Sequence, residues 1–427
     1  MLGSTDSNVE SRLDSRLKTA VTASGDELFV VVSETAGLGR PIAGGNIVDW
    51  ILSRESRGKD GVTMFDELCW RMVAQDVPLW RAALSIGTLH PQIMGLGFRW
   101  ARGRGVTEYQ VRHGMERHSD YLESPMRPAL EQGVFVRHRL EGNDAALARF
   151  PLLRSFREAG ATDYFACPLA MSVGRHHVVT WTTDRPGGFS DAQIAAIEAV
   201  LPALASYVET KVLERRSAIL LDTYLGRTIG RHILDGEIFR GESRRLRAAL
   251  MAVDLRDSTG LADRLPGEEL IRLLDDYFEA VAGAVHTAGG EILKFVGDGV
   301  LAIFGPEGRA EAEAAAAAFA AATEIVRRID VANENRDIVG QELIRFGIGL
   351  HLGEIYYGNV GAIDRLDYTA IGPAVNLVCR LEGLTKTLHH PILMSESFAE
   401  ASGAALVPLG RHPMRGLAEP QAVYTPQ

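Results

Sequence analysis

Cysteine is scarce in this chain. Its 427 residues contain three cysteines, Cys69, Cys167 and Cys379, widely spaced and without a Cys-x-x-Cys pair. An odd and scattered set of this kind excludes a disulfide framework and a zinc module. Reduced cysteines are typical of the cytosol, so we predict a cytoplasmic protein.

Long apolar runs and an excess of positive charge are also missing. No stretch reaches the roughly 18 uninterrupted apolar residues that a membrane span requires, and the N-terminal stretch mixes both charges without the apolar segment of a secretory signal. The formal net charge of −10 argues against nucleic acid or an anionic membrane surface as the main partner. We therefore expect a soluble protein with no membrane span and no nucleic-acid partner.

What the chain does contain is enough apolar material for two or three packed domains, at 46% hydrophobic residues. Shifts in composition and pattern divide it into four segments. They are a polar, glycine-rich arm at 1–45, an alternating helix-and-strand region at 46–210, a helical linker at 190–242 that overlaps the last helix of that region, and a compact α/β unit at 243–427.

The 46–210 region alternates helical and strand-like pieces. Phe65–Val73 has the pattern of an amphipathic helix. Five short apolar runs predict strands at 79–86, 93–100, 134–139, 164–173 and 177–182, and 28–32 is either part of a loose arm or an early strand. A turn cluster at 184–188 leads into Ser190, with Gln193 three positions on, which is a capping-box signature for a helix start.

In the order and character of these pieces, residues 46–210 resemble a GAF-type sensory domain, a sheet flanked by helices that often holds a small ligand. The best local match is WTTDRPGGFSDAQIAAIEAV, residues 181–200. A PAS-like domain is the alternative. The resemblance implies a regulatory domain, and it leaves open whether a small-molecule ligand or a protein signal acts on it.

After that cap, apolar residues recur every three or four positions along one helical face. They are Ile194, Ile197, Leu201, Leu204, Val208 and Val212, followed by Ile219, Leu220, Tyr224, Leu225, Ile229 and Ile233. Such a stripe is most often a packed face. Between two domains it is also a natural place for two chains to pair, so we predict that the linker helices contribute to a homodimer.

Two acidic residues stand at the ends of apolar runs in the C-terminal segment. Asp254 ends the run that begins at Ala248, and Asp298 lies between two short apolar segments joined by Gly-Asp-Gly. An Asp-Gly step between such segments is a strong hairpin signal. If the strands are neighbours, the two carboxylates can share divalent cations, and hard oxygen ligands suit Mg²⁺ or Mn²⁺ bound with substrate phosphates. Taken singly, Asp298 is as well explained as a turn residue and Asp254 as a helix cap.

A third motif, DYTAIGPAVNLVCRLEGL, covers residues 367–384. Pro373 fits the first turn of a helix, where its missing N–H costs nothing. On that helix Asn376 and Arg380 are four residues apart and project from one face. An isolated pair of this kind is usually a surface contact, and only its combination with the acidic residues suggests a site.

With these motifs together, residues 243–427 resemble the catalytic domain of class III adenylate and guanylate cyclases, a ferredoxin-like α/β fold. The resemblance implies an overall α/β (α+β) chain with a GAF-like domain, a helical linker and this catalytic domain. It also implies a role for each site residue. Asp254, Asp298 and the Leu255 carbonyl bind metal, and Lys294 and Thr369 select the purine. Asn376 orients the ribose, Arg380 stabilises the transition state, and Arg345 and Arg415 bind phosphate.

The chemistry implied by this family is attack of the ribose 3′-oxygen on the α-phosphorus with loss of pyrophosphate, assisted by two Mg²⁺ or Mn²⁺ ions per site. Lysine only donates hydrogen bonds, so Lys294 fits N1 of adenine and opposes the N1–H of guanine. Thr369 can accept from the adenine N6 amino group. Relatives specific for GTP usually carry glutamate at the lysine position. We therefore predict an adenylate cyclase acting on ATP.

In this family each site is shared between two catalytic domains. The aspartates come from one domain, and the lysine, threonine, asparagine and arginine come from the other. The resemblance therefore implies a homodimer with two equivalent sites, controlled through the N-terminal domain and the linker. Two alternatives stay open: a guanylate cyclase, and a catalytically silent module that binds nucleotide. Arg415 stands where relatives commonly have lysine, which puts only the fine geometry of phosphate binding in doubt.

Overall fold

The computed structural model describes residues 28–142, 144–172, 177–305 and 309–427. Most of the predicted N-terminal arm, residues 1–27, lies outside the described residues. The chain divides into two compact units, residues 1–220 (unit 1) and 221–427 (unit 2). The finer boundaries at 45, 190–210 and 242 stay predictions.

Unit 1 is built on an antiparallel sheet with the strand order β1-β4-β3-β2-β7-β6-β5. Its strands are β1 (Phe29–Thr35), β2 (Arg81–Gly87), β3 (Ile93–Ala101), β4 (Gly105–Arg112), β5 (Val136–Arg139), β6 (Asp163–Leu169) and β7 (His177–Thr183). Each strand predicted for this region is present, with ends that differ by a few residues. The apolar run at 28–32 is part of a strand and pairs with β4.

Helices cover both faces of this sheet. They are α1 (Ile47–Leu52), α2 (Arg54–Arg57), α3 (Gly61–Ala74), α4 (Ser119–Leu122), α5 (Arg127–Gln132), α6 (Asp144–Arg149), α7 (Pro151–Glu158) and α8 (Asp191–Leu225). Because side chains alternate along a strand, Phe165 and Cys167 enter the core under α1, α3 and α8, while Tyr164 and Ala166 enter a second core under α5, α6 and α7.

The start of α8 is held by two sets of polar contacts. In the predicted capping box, the Ser190 N–H donates to Gln193 Oε1 at 3.0 Å and the Gln193 N–H donates to Ser190 Oγ at 3.4 Å. Just before it, the fully buried Asp163 accepts three hydrogen bonds from Arg137, the shortest at 2.7 Å, and one from the Phe189 N–H at 3.1 Å. Arg137 also donates to the Phe189 carbonyl, so this pair ties β5 and β6 to the turn that opens α8.

Arg137→Ala is expected to destabilise unit 1 by about 3 kcal/mol, because it leaves the buried Asp163 carboxylate with one backbone donor and no counter-charge. The value is at the lower end for a broken buried pair because Arg137 is partly exposed. Urea unfolding followed by tryptophan fluorescence measures it. Arg139→Ala, on the same strand but exposed, is the control. A change below about 1 kcal/mol, the size of a surface pair, would contradict this account.

Helix α8 has two halves of different character. The predicted stripe is confirmed in the first half, where Ile197, Leu201, Leu204 and Val208 are buried in the core of unit 1. In the second half four apolar residues are exposed, Leu213, Leu220, Tyr224 and Leu225, while Val212 and Ile219 are half-buried. A single chain does not test whether this exposed stretch pairs with a second copy, so that role stays a prediction.

By length and composition, α8 is the one helix among the described residues that could cross a membrane. Half of its most apolar stretch is buried inside the protein, as it is in the core helix of a globular unit. The absence of a membrane span therefore also stays a prediction.

Unit 2 is a mixed sheet with the order β14-β15-β13-β11-β8-β10-β9, and β12 pairs with β11 off this path. Its strands are β8 (Ser243–Leu255), β9 (Glu291–Val296), β10 (Gly299–Phe304), β11 (Phe346–Gly361), β12 (Leu366–Ile371), β13 (Ile392–Ser395), β14 (Leu406–His412) and β15 (Gln421–Pro426). Its helices are α9 (Arg227–Leu234), α10 (Ser258–Arg264), α11 (Gly267–Thr287), α12 (Glu311–Ile338), α13 (Pro373–Leu388) and α14 (Glu396–Ser402).

The central strand β8 separates two cores. Its odd-numbered residues from Ala249 to Leu255 pack under α11, α12 and α14, and its even-numbered residues from Ala248 to Ala252 pack under α9 and α13. The sequence pattern suggests two strands in 343–358, broken near Gly353. The structure has one, because β8 pairs with β11 without interruption through Gly353 and supplies the hydrogen bonds that a lone glycine-containing segment would lack.

Candidate active site

Asp254 and Asp298 lie together at one edge of the unit 2 sheet. Asp254 is next to last in the central strand β8, and Leu255 ends that strand with its side chain in the core. Asp298 lies in the loop that leads into β10. Because Val300 of β10 pairs with Val253 of β8, the loop comes beside the end of β8. We refer to Asp254 and Asp298 as the acidic edge.

The hairpin that carries Asp298 differs in detail from the predicted Asp-Gly turn. Gly299 already belongs to β10 and pairs with Val296, so the two loop residues are Gly297 and Asp298. Gly297 has φ +64°, a left-handed conformation that glycine adopts without steric cost. A Cβ atom on Gly299 would lie 3.3 Å from Asp254 Oδ1, so glycine there keeps the space beside the carboxylate open.

The two carboxylates interact electrostatically. The pKa of Asp254 is raised above its usual value, mainly because the side chain is partly buried and further because of the negative charge of Asp298. The positive charges of Lys386 and Arg256 oppose that rise. A divalent cation bound between the two carboxylates would favour their ionised forms.

Basic residues surround the acidic edge. Lys386 Nζ lies 3.8 Å from Asp254 Oδ2, and Arg256 Nη1 donates to Glu382 Oε1 at 2.8 Å. Arg345 is exposed just before β11, and its carbonyl accepts from the Arg256 N–H at 2.7 Å. Arg345 is therefore close to the acidic edge, where a cationic side chain that binds phosphate is expected. Arg256, Glu382 and Lys386 are absent from the sequence-predicted set, since only the fold brings α13 against the end of β8.

Tyr277 of α11 is a further neighbour that the sequence does not single out. Its ring is buried, and its hydroxyl has no hydrogen-bond partner among the described residues. Burial raises the pKa of this hydroxyl, and the negative charges of Asp254 and Asp298 raise it further. The apolar spacing of α11 marks Tyr277 only as a core residue. A buried tyrosine hydroxyl normally finds a partner, and this one lies within the electrostatic reach of the acidic edge.

The donor set of the acidic edge fits a particular kind of metal site. Among the described residues, no group of three or more histidine, cysteine, aspartate or glutamate side chains is arranged to hold an ion. Two carboxylates do not complete a zinc or calcium shell by themselves. They do match Mg²⁺, which is usually bound through one or two carboxylates together with the phosphates of a substrate.

Lys294 and Thr369 lie in a second group, the base corner, which also contains Asp367. Lys294 Nζ of β9 donates to Asp367 Oδ2 of β12 at 2.7 Å. Asp367 and Thr369 are two residues apart on one strand, so they share a face about 7 Å apart. The Thr369 hydroxyl is buried and has no hydrogen-bond partner among the described residues. A free hydroxyl and an oriented ammonium group therefore face the same region.

Asn376 and Arg380 project from the first half of α13, as predicted. Asn376 is exposed, and Arg380 is half-buried with Nη2 3.2 Å from the place where Gly416 would carry a Cβ atom. Arg380 makes no hydrogen bond or ion pair with any other described residue. Arg415, which precedes Gly416, is exposed. We call Asn376, Arg380 and Arg415 the cationic face.

Arg380 forms no ion pair with the acidic edge of its own chain. Lys386, on the same helix, is the residue that approaches Asp254. Six residues of α-helix separate Arg380 from Lys386, which corresponds to about 9 Å along the axis and about 120° around it. The structure thus brings the predicted residues into three groups, and it does not unite the acidic edge and the cationic face around one point in a single chain.

Hard oxygen donors next to several basic side chains are typical of domains that act on phosphate esters with divalent cations. Residues 243–424 match the family described as "Adenylate and Guanylate cyclase catalytic domain". Residues 243–424 thus belong to that family, which confirms the resemblance inferred from the motifs. The family description names both activities, so membership leaves the choice between ATP and GTP open.

Individual relatives match stretches of different length. "Adenylate cyclase" of Anabaena cylindrica is 35% identical over 155 residues, 35% of this chain and 30% of that protein. "Adenylate cyclase 1" of Rhizobium meliloti is 28% identical over 258 residues, 58% of this chain and 38% of that protein. The chain thus spans about a third of the length of the curated relatives it matches.

Solved structures are similar over about two fifths of the chain. The adenylyl cyclase CyaB from P. aeruginosa has a TM-score of 0.40 at 28% identity, over 43% of this chain and 94% of that chain. The guanylyl cyclase Cya2 has a TM-score of 0.39 at 28% identity, over 43% of this chain and 92% of that chain. The resemblance of residues 46–210 to a GAF-type domain stays a prediction.

Proposed function

We propose that this protein is an adenylate cyclase that converts ATP to 3′,5′-cyclic AMP and pyrophosphate. In the reaction a bond forms between the ribose 3′-oxygen and the α-phosphorus, the bond from that phosphorus to the bridging oxygen of pyrophosphate breaks, and the 3′-hydroxyl loses its proton. The observation that carries this proposal is the acidic edge, formed at the end of the central strand within a cyclase-family domain.

Each group of residues has a role in that reaction. Two bound Mg²⁺ or Mn²⁺ ions would lower the pKa of the 3′-hydroxyl and neutralise charge on the leaving pyrophosphate. Asp254, Asp298 and the Leu255 carbonyl hold them. Arg345 and Arg415 bind phosphate oxygens, Asn376 orients the ribose, and Arg380 stabilises the negative charge that develops at the α-phosphorus. Arg345 and Arg415 are exposed, and Arg380 makes no ion pair with the described residues. All three guanidinium groups are therefore available to an anion.

Base choice is assigned to the base corner. The Lys294 ammonium group has three donors and no acceptor, so after donating to Asp367 it can still donate to N1 of adenine. N1 of guanine cannot accept this hydrogen bond, because it carries a hydrogen atom. The unpartnered Thr369 hydroxyl can accept from N6. Asp367 thus acts as a positioning residue, because it fixes the ammonium group without touching the base.

Asp367→Asn is expected to lower the ratio of ATP to GTP kcat/KM by about three- to tenfold, since the loss of one exposed charge-assisted hydrogen bond is worth about 1 kcal/mol. Turnover of both nucleotides in parallel measures that ratio. Asp364→Asn, the same change at an exposed carboxylate in the turn before β12, is the control. The melting temperature should not change for either variant. An unchanged ratio in Asp367→Asn would show that the ion pair has no part in base choice.

We propose that the active protein is a homodimer in which each site is shared. Within one chain Lys386 of α13 lies near Asp254 and Arg380 lies near Gly416, which supports a second copy as the source of the arginine at the acidic edge. The exposed apolar residues in the second half of α8 add a surface that a second chain can cover.

Regulation through the linker has a physical basis in unit 2. The His232 ring of α9 stacks on Tyr368 of β12 with centroids 5.7 Å apart, and His232 Nδ1 lies 3.1 Å from Glu237 Oε2. Tyr368 stands between Asp367 and Thr369 in the base corner. A signal at the N-terminal domain, whether a small molecule or a protein, that moves the linker would therefore reach the base corner through α9.

The test of the proposed function is turnover by the full chain with ATP or GTP and Mg²⁺ or Mn²⁺. Cyclic nucleotide is identified by chromatography, and pyrophosphate release is measured alongside it. Cyclic AMP with equimolar pyrophosphate is the expected product. Cyclic GMP as the main product would favour the guanylate cyclase alternative. Nucleotide binding with neither product would favour the catalytically silent module.

A further inference from the structure

Unit 1 contains a cavity of about 380 Å³ between its sheet and the second half of α8. The cavity lies on the side of the sheet covered by α3 and α8, and all of its lining residues belong to unit 1. Most of the wall is apolar. Side chains from α3, β2, β3 and α8 contribute to it, including Met64, Leu84, Ile86, Leu96, Phe98 and Val212.

An apolar wall of this kind holds water poorly, because an ordered water needs two to four polar partners. The volume is within the range of small-molecule sites, roughly 300 to 1,000 Å³. The cavity is thus suited to the apolar body of a small molecule.

One side of the cavity is basic. Lys211, Glu214, Arg215 and Arg216 of α8 line it, and Lys211 Nζ is paired with Glu214 Oε2 at 3.1 Å. The remaining positive charges are therefore Arg215 and Arg216. Arg216 Nε is buried and has no hydrogen-bond partner among the described residues. A buried donor without a partner is costly, so this N–H is available to an acceptor that enters the cavity.

We propose that this cavity is a binding site for a small amphipathic carboxylic acid, with its apolar chain against the sheet and its carboxylate on Arg216. A guanidinium group binds a carboxylate through two parallel hydrogen bonds and would satisfy the buried Nε. A phosphate dianion fits less well, because Glu214 lies beside the arginines and repels a second negative charge.

The site also gives unit 1 a way to sense a ligand. Arg215 and Arg216 belong to the part of α8 that follows Val208, the last fully buried residue of that helix. A bound acid would bridge this exposed half of the helix to β2 and β3. Binding itself depends only on unit 1, so it can be measured whether or not the proposed reaction is correct.

Decanoate is a suitable probe, with decanol as its uncharged counterpart, each titrated calorimetrically into the full-length protein below the concentration at which decanoate forms micelles. We expect decanoate to bind at least about tenfold more tightly than decanol, because only the carboxylate gains a charge-assisted bond. In Arg216→Gln the two affinities should come within about threefold of each other. Arg57→Gln, an exposed arginine outside the cavity, should bind as the unchanged protein does.

Val212→Trp provides a second, independent variant. It fills the cavity from the half-buried surface of α8 and should remove binding of both probes while circular dichroism shows a folded chain. Equal binding of decanoate to Val212→Trp, or no difference between decanoate and decanol, would overturn the proposal. Failure of the unchanged, folded protein to bind either probe would also overturn it. Sedimentation of Val212→Trp shows separately whether the change disturbs a contact with a second copy.

Discussion

Asp254→Asn is expected to reduce ATP turnover by a factor on the order of 1000 or more, because it removes one of the two carboxylates proposed to hold both cations. Asparagine has nearly the same shape, and the Asp254 side chain is about a third exposed, so the fold should be kept. Initial rates of cyclic AMP formation over a range of Mg²⁺ and Mn²⁺ concentrations measure the effect. Asp298→Asn should behave in the same way.

Stability provides a second readout for this variant. Burial and Asp298 raise the pKa of Asp254, so the folded state binds the proton more tightly than the unfolded state. At pH values above that raised pKa the ionised carboxylate therefore destabilises the fold, and the effect disappears once the pH falls below the unfolded value. Asp254→Asn should accordingly be at least as stable as the unchanged protein at neutral pH. Lower activity with unchanged or higher stability separates a functional role from a structural one.

Asp275→Asn is the matched control, because Asp275 is an exposed carboxylate of α11 to which no role in the site is assigned. It should leave both turnover and stability unchanged. Activity within tenfold of the unchanged protein in Asp254→Asn and Asp298→Asn would mean that the acidic edge is not the metal site, and that Asp298 is only a turn residue.

Mixing two inactive variants is expected to restore activity. Arg380→Ala keeps the acidic edge, and Asp298→Ala keeps the cationic face. A mixed dimer has one site with every group and one site that lacks both the Asp298 carboxylate and the Arg380 guanidinium group. With random pairing half of the dimers are mixed, so about one quarter of all sites should be intact, and turnover should rise to about a quarter of the unchanged value. Each variant alone should show a loss on the order of 100- to 1000-fold or greater.

The control for this experiment is a mixture of Asp254→Ala with Asp298→Ala. Both changes fall on the acidic edge, so no pairing of these chains produces an intact site and activity should not return. Sedimentation of the mixtures shows whether mixed dimers form. If dimers form and Arg380→Ala with Asp298→Ala stays inactive, the shared-site arrangement is wrong. If Arg380→Ala alone keeps its activity, the cationic face does not act on the α-phosphorus.

Several features of the fold could be predicted from local patterns. The capping box at Ser190 and Gln193 and the packed face of α8 depend on residues three and four positions apart, and periodicity reads such contacts directly. The β9–β10 hairpin needs only its own glycine-containing loop. Helix α13 begins at Pro373, the residue that the sequence marks as the first turn of a helix.

One prediction depended on a contact between distant segments, and the local pattern misjudged it. The glycine at 353 suggested a break, yet β8 pairs with β11 from Phe346 to Gly358 and keeps it one strand. A neighbouring strand from a distant part of the chain determined the outcome there.

By itself the sequence determined the residue types of the site and the family of residues 243–424, because the motifs are short and the chemistry of phosphate esters restricts which side chains can serve. Only the tertiary structure decided which of those residues meet. It placed Asp367, 73 positions along the chain, on Lys294, turned Lys386 toward Asp254 in place of Arg380, and left Arg216 Nε buried beside an apolar cavity. Such contacts depend on strand register and helix rotation, and these are set by packing across the whole unit.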